Sequence, residues 1–176
     1  MASEQETTIK ALQTAIRMEI DGKEFYKKVS KASTNKLGKN LLKRLADEEE
    51  IHQKVFENIY NTIRAQKGWP RDAFKADAGQ GLRTVFARAI EDMDKNVKAI
   101  PSELDAIQTA MTMENKTYDY YKKLGGAATF DAEKKFYAAL VVQEEEHHRV
   151  LLDYYEFLKD PASWFVQKEK PSLDGG

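Results

Sequence analysis

The chain has 176 residues, enough for one domain with a continuous core, and its 41% hydrophobic and 32% charged content excludes a disordered polymer. A formal net charge of -1 provides no basic field for nucleic acid or an anionic membrane. With no cysteine, disulfides, thiolate metal sites, iron–sulfur clusters and cysteine nucleophiles are excluded, which leaves carboxylates and imidazoles as the metal-binding side chains.

The opening MASEQETTIK lacks the basic and apolar regions of a signal peptide, and no apolar run is long enough to span a bilayer, so a cytoplasmic location is expected. The first amphipathic stripe runs through Ile9, Leu12, Ile16, Glu19, Tyr26 and Val29. The second follows Leu42, Leu45, Glu49, His52, Phe56, Ile59 and Ile63 in steps of three and four. Ser33 to Lys36 joins these two helices, and so short a loop makes an antiparallel hairpin. A long segment from Gln66 to Pro101 comes next, and its Leu82, Phe86, Ile90, Met93 and Val97 predict a shorter helix along the bundle. Ser102, with Asp105 three residues on, predicts the start of the next long helix. Its stripe is Leu104, Ile107, Met111, Glu114, Tyr118 and Tyr121. A loop near Gly125 to Thr129 leads to the last helix, whose stripe reads Val141, Glu145, His148, Leu152 and Tyr155 until Asp160-Pro161 stops it.

The expected architecture is all-α: a ferritin-like four-helix bundle with one long crossover between two helical hairpins. The whole chain is then one domain, with helix pairs over about residues 5–65 and 102–158, the crossover over about 66–101, and a short tail.

The halves repeat. Residues 11–28 and 106–123 share A-[LI]-Q-T-A-x-x-M-E-x6-Y-K-K at a spacing of 95. Glu48-Glu49-Glu50-Ile51-His52 and Glu144-Glu145-Glu146-His147-His148 match at a spacing of 96. Repeated polar positions within apolar seams imply a pseudo-twofold site. Glu49 and His52 lie one turn apart on one helix face, as do Glu145 and His148, and each pair can approach one cation. Glu19 and Glu114 add a carboxylate from each remaining helix, which completes the ligand pattern of two-metal carboxylate bundles. The predicted metal ligands are therefore Glu19, Glu49, His52, Glu114, Glu145 and His148. Glu48, Glu50, Glu144 and Glu146 read as solvated helix faces, and His147, one position off the stripe, as a surface residue or a support to the ligands. Tyr26 and Tyr121 are candidates to hydrogen-bond the ligand carboxylates from outside.

These residues resemble the rubrerythrin family, whose di-iron domain pairs E-x6-Y helices with E-E-x-x-H helices. The resemblance runs over about residues 5–158, through Glu19 to Tyr26, Glu48-Glu49 to His52, Glu114 to Tyr121, and Glu144-Glu145 to His148. It implies two iron ions per chain, with manganese also suited to the ligands, and an oxidoreductase that reacts with hydrogen peroxide or oxygen under oxidative stress. Rubrerythrins proper append a domain whose four cysteines hold an electron-transfer iron. With no cysteine here, a separate electron-donor protein is expected, along with a homodimer and neither nucleic acid nor membrane as partner. The family also carries a further ligand glutamate where this chain has Thr117, whose repeat counterpart is Gly22. These two small residues are expected either to serve close helix packing or to leave space for the oxidant, with the Thr117 hydroxyl near the metals. An iron-storage protein of bacterioferritin type is the alternative, and a metal-free helical interaction module would leave the buried Glu and His unpaired.

Overall fold

The computed structural model describes residues 4–71, 74, 82, 86 and 101–164. Four long helices dominate: α1 Glu4–Ala32, α2 Lys36–Arg64, α3 Pro101–Ala127 and α4 Asp131–Lys159. Helix α1 packs along α2 and α3 along α4, and α1 also meets α3. The two-hairpin, all-α arrangement expected from the stripes is the one observed. Among the described residues no helix is long and apolar enough to cross a membrane.

The helix ends follow from local chemistry. Asn35, extended at φ -127 and ψ 156, caps α2 by accepting from Gly38 N at 2.7 Å. Beyond α2, Gln66 (φ 58) and Gly68 (φ 72) turn the chain through the left-handed region. Helix α3 is described from Pro101, one residue ahead of the expected capping Ser102, and proline suits a first turn because its missing N–H has no partner there anyway. The expected loop at Gly125 is displaced, since α3 continues to Ala127. A Cβ on Gly125 would lie 3.2 Å from Tyr137 Cβ, so this glycine serves close approach of α3 to α4 and not the turn. Helix α4 ends at Lys159, and Asp160 Oδ1 then accepts from Ser163 N at 3.0 Å to cap one helical turn over 161–164.

The core forms two apolar clusters. One contains Tyr26, Leu41, Leu45, Ile107, Val150 and Tyr154, and the other Leu12, Phe56, Ile59, Tyr121, Phe136 and Leu140. On every long helix a buried glutamate falls between them, joined by a histidine on α2 and on α4. Of the fifth helix expected in the crossover, Leu82 and Phe86 are helical and buried in the first cluster, while Ile90, Met93 and Val97 lie outside the described residues.

At one end of the bundle a buried glutamate ties three elements together. Glu103, in the first turn of α3, accepts from Ser33 Oγ at 2.7 Å, Thr34 Oγ1 at 2.9 Å and Tyr154 OH at 2.8 Å. Gly38 lies under this knot, and a Cβ there would overlap both Tyr154 OH and Ser33 Oγ. Helix propensity alone favours Gly38→Ala by about 1 kcal/mol. Displacing a hydroxyl from a buried carboxylate costs more, on the order of 1–3 kcal/mol. Gly38→Ala should therefore lower the urea midpoint, and a rise in the midpoint would show that the knot yields freely.

Candidate metal centre

Six side chains from all four long helices meet between the two apolar clusters. Glu19 comes from α1, Glu49 and His52 from α2, Glu114 from α3, and Glu144 and His147 from α4. They form two overlapping groups, Glu19–Glu49–His52–Glu144 and Glu49–Glu114–Glu144–His147, in each of which the candidate ligand atoms lie within 4.8 Å of one another. Glu49 and Glu144 belong to both, which is the placement a bridging carboxylate needs. Each histidine directs Nδ1 inward. His52 Nδ1 lies 3.3 Å from Glu19 Oε2 and 3.4 Å from Glu144 Oε1, while His147 Nδ1 lies 3.2 Å from Glu49 Oε1 and 3.5 Å from Glu114 Oε2. The two imidazoles stack with centroids 5.6 Å apart and planes within 13°.

The arrangement is costly without a cation. All six residues are buried, Glu19 and His147 completely. Glu19 Oε2, Glu49 Oε1, both Glu144 oxygens and both inward Nδ1 atoms make no hydrogen bond, although they approach at ion-pair distance. Buried polar atoms are rarely left so, and a cluster of them converging on one space fits metal ions drawing on carboxylate and imidazole donors.

Four of the six predicted ligands, Glu19, Glu49, His52 and Glu114, lie in this buried cluster. The other two do not. Glu145, with 58% of its side chain exposed, pairs with Arg149 at 3.5 Å, and His148 is only partly buried. Their places are taken by Glu144 and His147, read from the sequence as a solvated glutamate and a residue off the stripe. Helix α4 doubles its apolar residues, as Leu140-Val141, Leu151-Leu152 and Tyr154-Tyr155, so two adjacent stripes look alike in sequence. The buried one is Leu140, Glu144, His147, Leu151 and Tyr154. Extending the 95-residue spacing of the first and third helices to the other pair finds it directly, because it relates Glu49 to Glu144, His52 to His147 and Leu45 to Leu140.

The surrounding residues hold the ligands in place. Tyr26 OH donates to Glu114 and Tyr121 OH to Glu19, so each hairpin's tyrosine secures the other hairpin's carboxylate. Glu48 and Glu146 are buried rather than solvated. Glu48 Oε2 meets His147 Nε2 at 3.0 Å, and Arg149 reaches Glu146 at 3.1 Å. With the Nε2 proton directed at Glu48, the Nδ1 lone pair of His147 faces the centre. Glu50 is the member of that run that does face solvent, bonded to Lys54 at 2.9 Å. A Cβ on Gly22 would lie 3.3 Å from Glu49 Oε2, so the carboxylate occupies the space expected for an oxidant. Thr117 Oγ1 donates to the Met113 carbonyl at 3.0 Å, and the hydroxyl proton expected near the metals is spent on its own helix.

A family model described as Rubrerythrin matches residues 10–155. The chain belongs to the rubrerythrin family. Neither the search of curated proteins nor that of solved structures returned a match. The E-E-x-x-H motif of the family is carried in this chain by Glu48-Glu49 and His52, and in the second half by Gln143-Glu144 and His147, where a glutamine stands in the first position.

Electrostatics divides the six groups by how firmly each would hold a proton. Burial, and then the charges of Glu19 and Glu144, push the Glu49 carboxyl well above the ordinary range, and burial with Glu114 and Glu19 does the same to Glu144. Burial opposes charge on Glu19, but His52 and the hydrogen bonds from Glu49 and Tyr121 outweigh it and hold its carboxyl low; for Glu114 the opposing partners are His147, Glu144 and Tyr26. Burial likewise disfavours the imidazolium forms, yet Glu19 raises His52, and Glu114 raises His147 well above its ordinary value. Glu49, Glu144, His52 and His147 are thus the groups whose hold on a proton is strengthened, and the ones at which a cation would compete with protons.

Two outcomes follow. Glu144→Ala and His147→Ala should each abolish stoichiometric loading with two metal ions at micromolar protein, while Glu145→Ala and His148→Ala should leave it intact; inductively coupled plasma analysis after gel filtration decides. The second concerns pH. Groups with raised folded values stabilise the metal-free protein below their ordinary values, about 4 for Glu and 6.5 for His, and that contribution fades as pH rises through the raised values. Glu19 and Glu114, held low, contribute above the ordinary carboxylate range and lose it as pH falls. The metal-free protein should therefore lose melting temperature as pH rises above the ordinary histidine value of about 6.5, while loaded protein gains on it, since each divalent ion displaces about two protons. Parallel melting curves across that range would contradict the proton-for-metal exchange.

Proposed function

We propose that this protein is a di-iron oxidoreductase that reduces hydrogen peroxide, or reacts with oxygen, using electrons from a separate donor protein. The observation that supports it most is the pair of overlapping groups sharing Glu49 and Glu144, an arrangement that suits two ions close together better than two independent sites. Iron held there supplies one electron from each of two ions at one place. Glu19 with His52 would hold one ion, Glu114 with His147 the other, and Glu49 and Glu144 both.

The chain's own residues make the site selective. Tyr26 and Tyr121, raised well above the ordinary phenol value by burial and then by Glu114 and Glu19 respectively, remain protonated and donate steadily to those two carboxylates. The apolar clusters on either side keep bulk water from the ligands. A buried set of four carboxylates and two imidazoles matches two divalent charges closely, and hard oxygen with borderline nitrogen donors suits iron or manganese. The 176 residues hold no cysteine, so a thiolate-bound electron-transfer centre would lie outside them. We further propose a homodimer in the cytoplasm as the working form.

Protein loaded anaerobically with two ferrous ions per chain should be oxidised by peroxide within seconds, consuming one peroxide per pair of ions and yielding two waters with the uptake of two protons. Stopped-flow absorbance in the near ultraviolet would follow it. Iron that stays ferrous under both peroxide and oxygen would rule the activity out. Uptake of many hundreds of ions by a large hollow assembly would favour the iron-storage alternative.

A further inference from the structure

Glu48 and Gln143 occupy the same place in the two halves, 95 residues apart, and are buried to the same degree, 7% and 4% exposed. One is a carboxylate and the other a neutral amide. Glu48 Oε2 lies 3.0 Å from His147 Nε2, and Glu48 Oε1 accepts from Arg44 Nε at 3.2 Å. A hydrogen-bonded row therefore runs from the partly exposed guanidinium of Arg44, through Glu48, to the imidazole whose Nδ1 faces Glu49 and Glu114.

Across the pseudo-twofold the ligands themselves are balanced. His52 Nδ1 faces Glu19 and Glu144 at 3.3 and 3.4 Å, much as His147 Nδ1 faces its own pair. The imbalance lies one layer out, where the buried carboxylate Glu48 bonds His147 Nε2 and its counterpart in the other half is the neutral Gln143. A carboxylate that accepts the far N–H of a ligand histidine fixes the tautomer, orients the ring and strengthens the facing nitrogen as a donor. Its loss typically costs about ten- to a hundredfold in metal affinity.

We propose that Glu48 is a positioning residue that makes the two metal positions unequal. The position built on Glu114 and His147 takes a divalent cation first and holds it more tightly than the one built on Glu19 and His52. This rests on the two-metal reading given above. The effect belongs to the charge of Glu48 and not to its shape, because Gln143 has nearly the same shape and burial.

The test is calorimetric titration of metal-free, full-length protein with Co2+, the optical bands reporting the occupied geometry. Two binding steps are expected, separated by about tenfold or more. Glu48→Gln should weaken the first step by about ten- to a hundredfold and merge the two, with the metal-free melting temperature little changed. Gln143→Glu should instead tighten the second step. His147→Ala should remove the tight step from the natural sequence and His52→Ala should spare it; in the Glu48→Gln, Gln143→Glu double variant that pattern should reverse. Equal steps in the natural protein, or a step ratio that neither substitution changes, would overturn the inequality while leaving the two-metal reading standing. Uptake of a single Co2+ would overturn both.

Discussion

Four glutamates and two histidines share one dry space in the middle of an apolar bundle, and most of the fold's other choices answer to that. Moving a carboxylate out of water costs several kcal/mol even after relaxation, and like charges packed together add to it. Two kinds of positive charge can relieve that cost, protons and metal ions, and both would compete for the same atoms. The tyrosines, Glu48 and the glycine at position 22 then belong to one scheme. They hold carboxylates and imidazoles in positions that would otherwise be relieved by turning toward solvent. Apolar packing on both sides prevents that escape, with Phe56 and Tyr121 at one side and Leu45 and Tyr154 at the other.

Much of this was legible from the residues in order. Steps of three and four placed Glu19, Glu49, His52 and Glu114 correctly because α1, α2 and α3 each carry one unambiguous stripe. Helix α4 does not, since Leu140-Val141 and Leu151-Leu152 make two adjacent faces equally apolar, and the repeated Glu and His letters fit either. Which face turns inward is settled by packing against α3 and by the twofold relation to α2, not by anything local to α4. Glu48 was misread for a different reason. Most glutamates in an acidic run are solvated, and only the position of His147, on another helix, identifies Glu48 as buried beside Glu49.

The crossed tyrosines bear on how the site assembles. Tyr26 and Glu19 lie on one helix yet do not serve each other, for Tyr26 reaches Glu114 and Tyr121 reaches Glu19. Either hairpin alone would have a phenol without its carboxylate and a carboxylate without its phenol. Formation of the ligand set is therefore coupled to docking of the hairpins, and metal affinity is a direct report on that docking.

The 95-residue spacing has a consequence for what substitution can achieve. A pair of identical hairpins around a twofold axis would have to carry the same side chain on both sides of the centre, so any change would appear twice. Both hairpins on one chain remove that constraint. Gly22 with its counterpart Thr117, and Glu48 with its counterpart Gln143, are differences that a symmetric pair could not hold, and each pair lies within three residues of the candidate ligands in sequence. Linking the halves thus gives the chain a freedom its architecture alone would not have: two nearly equal groups of donor side chains can be assigned different work.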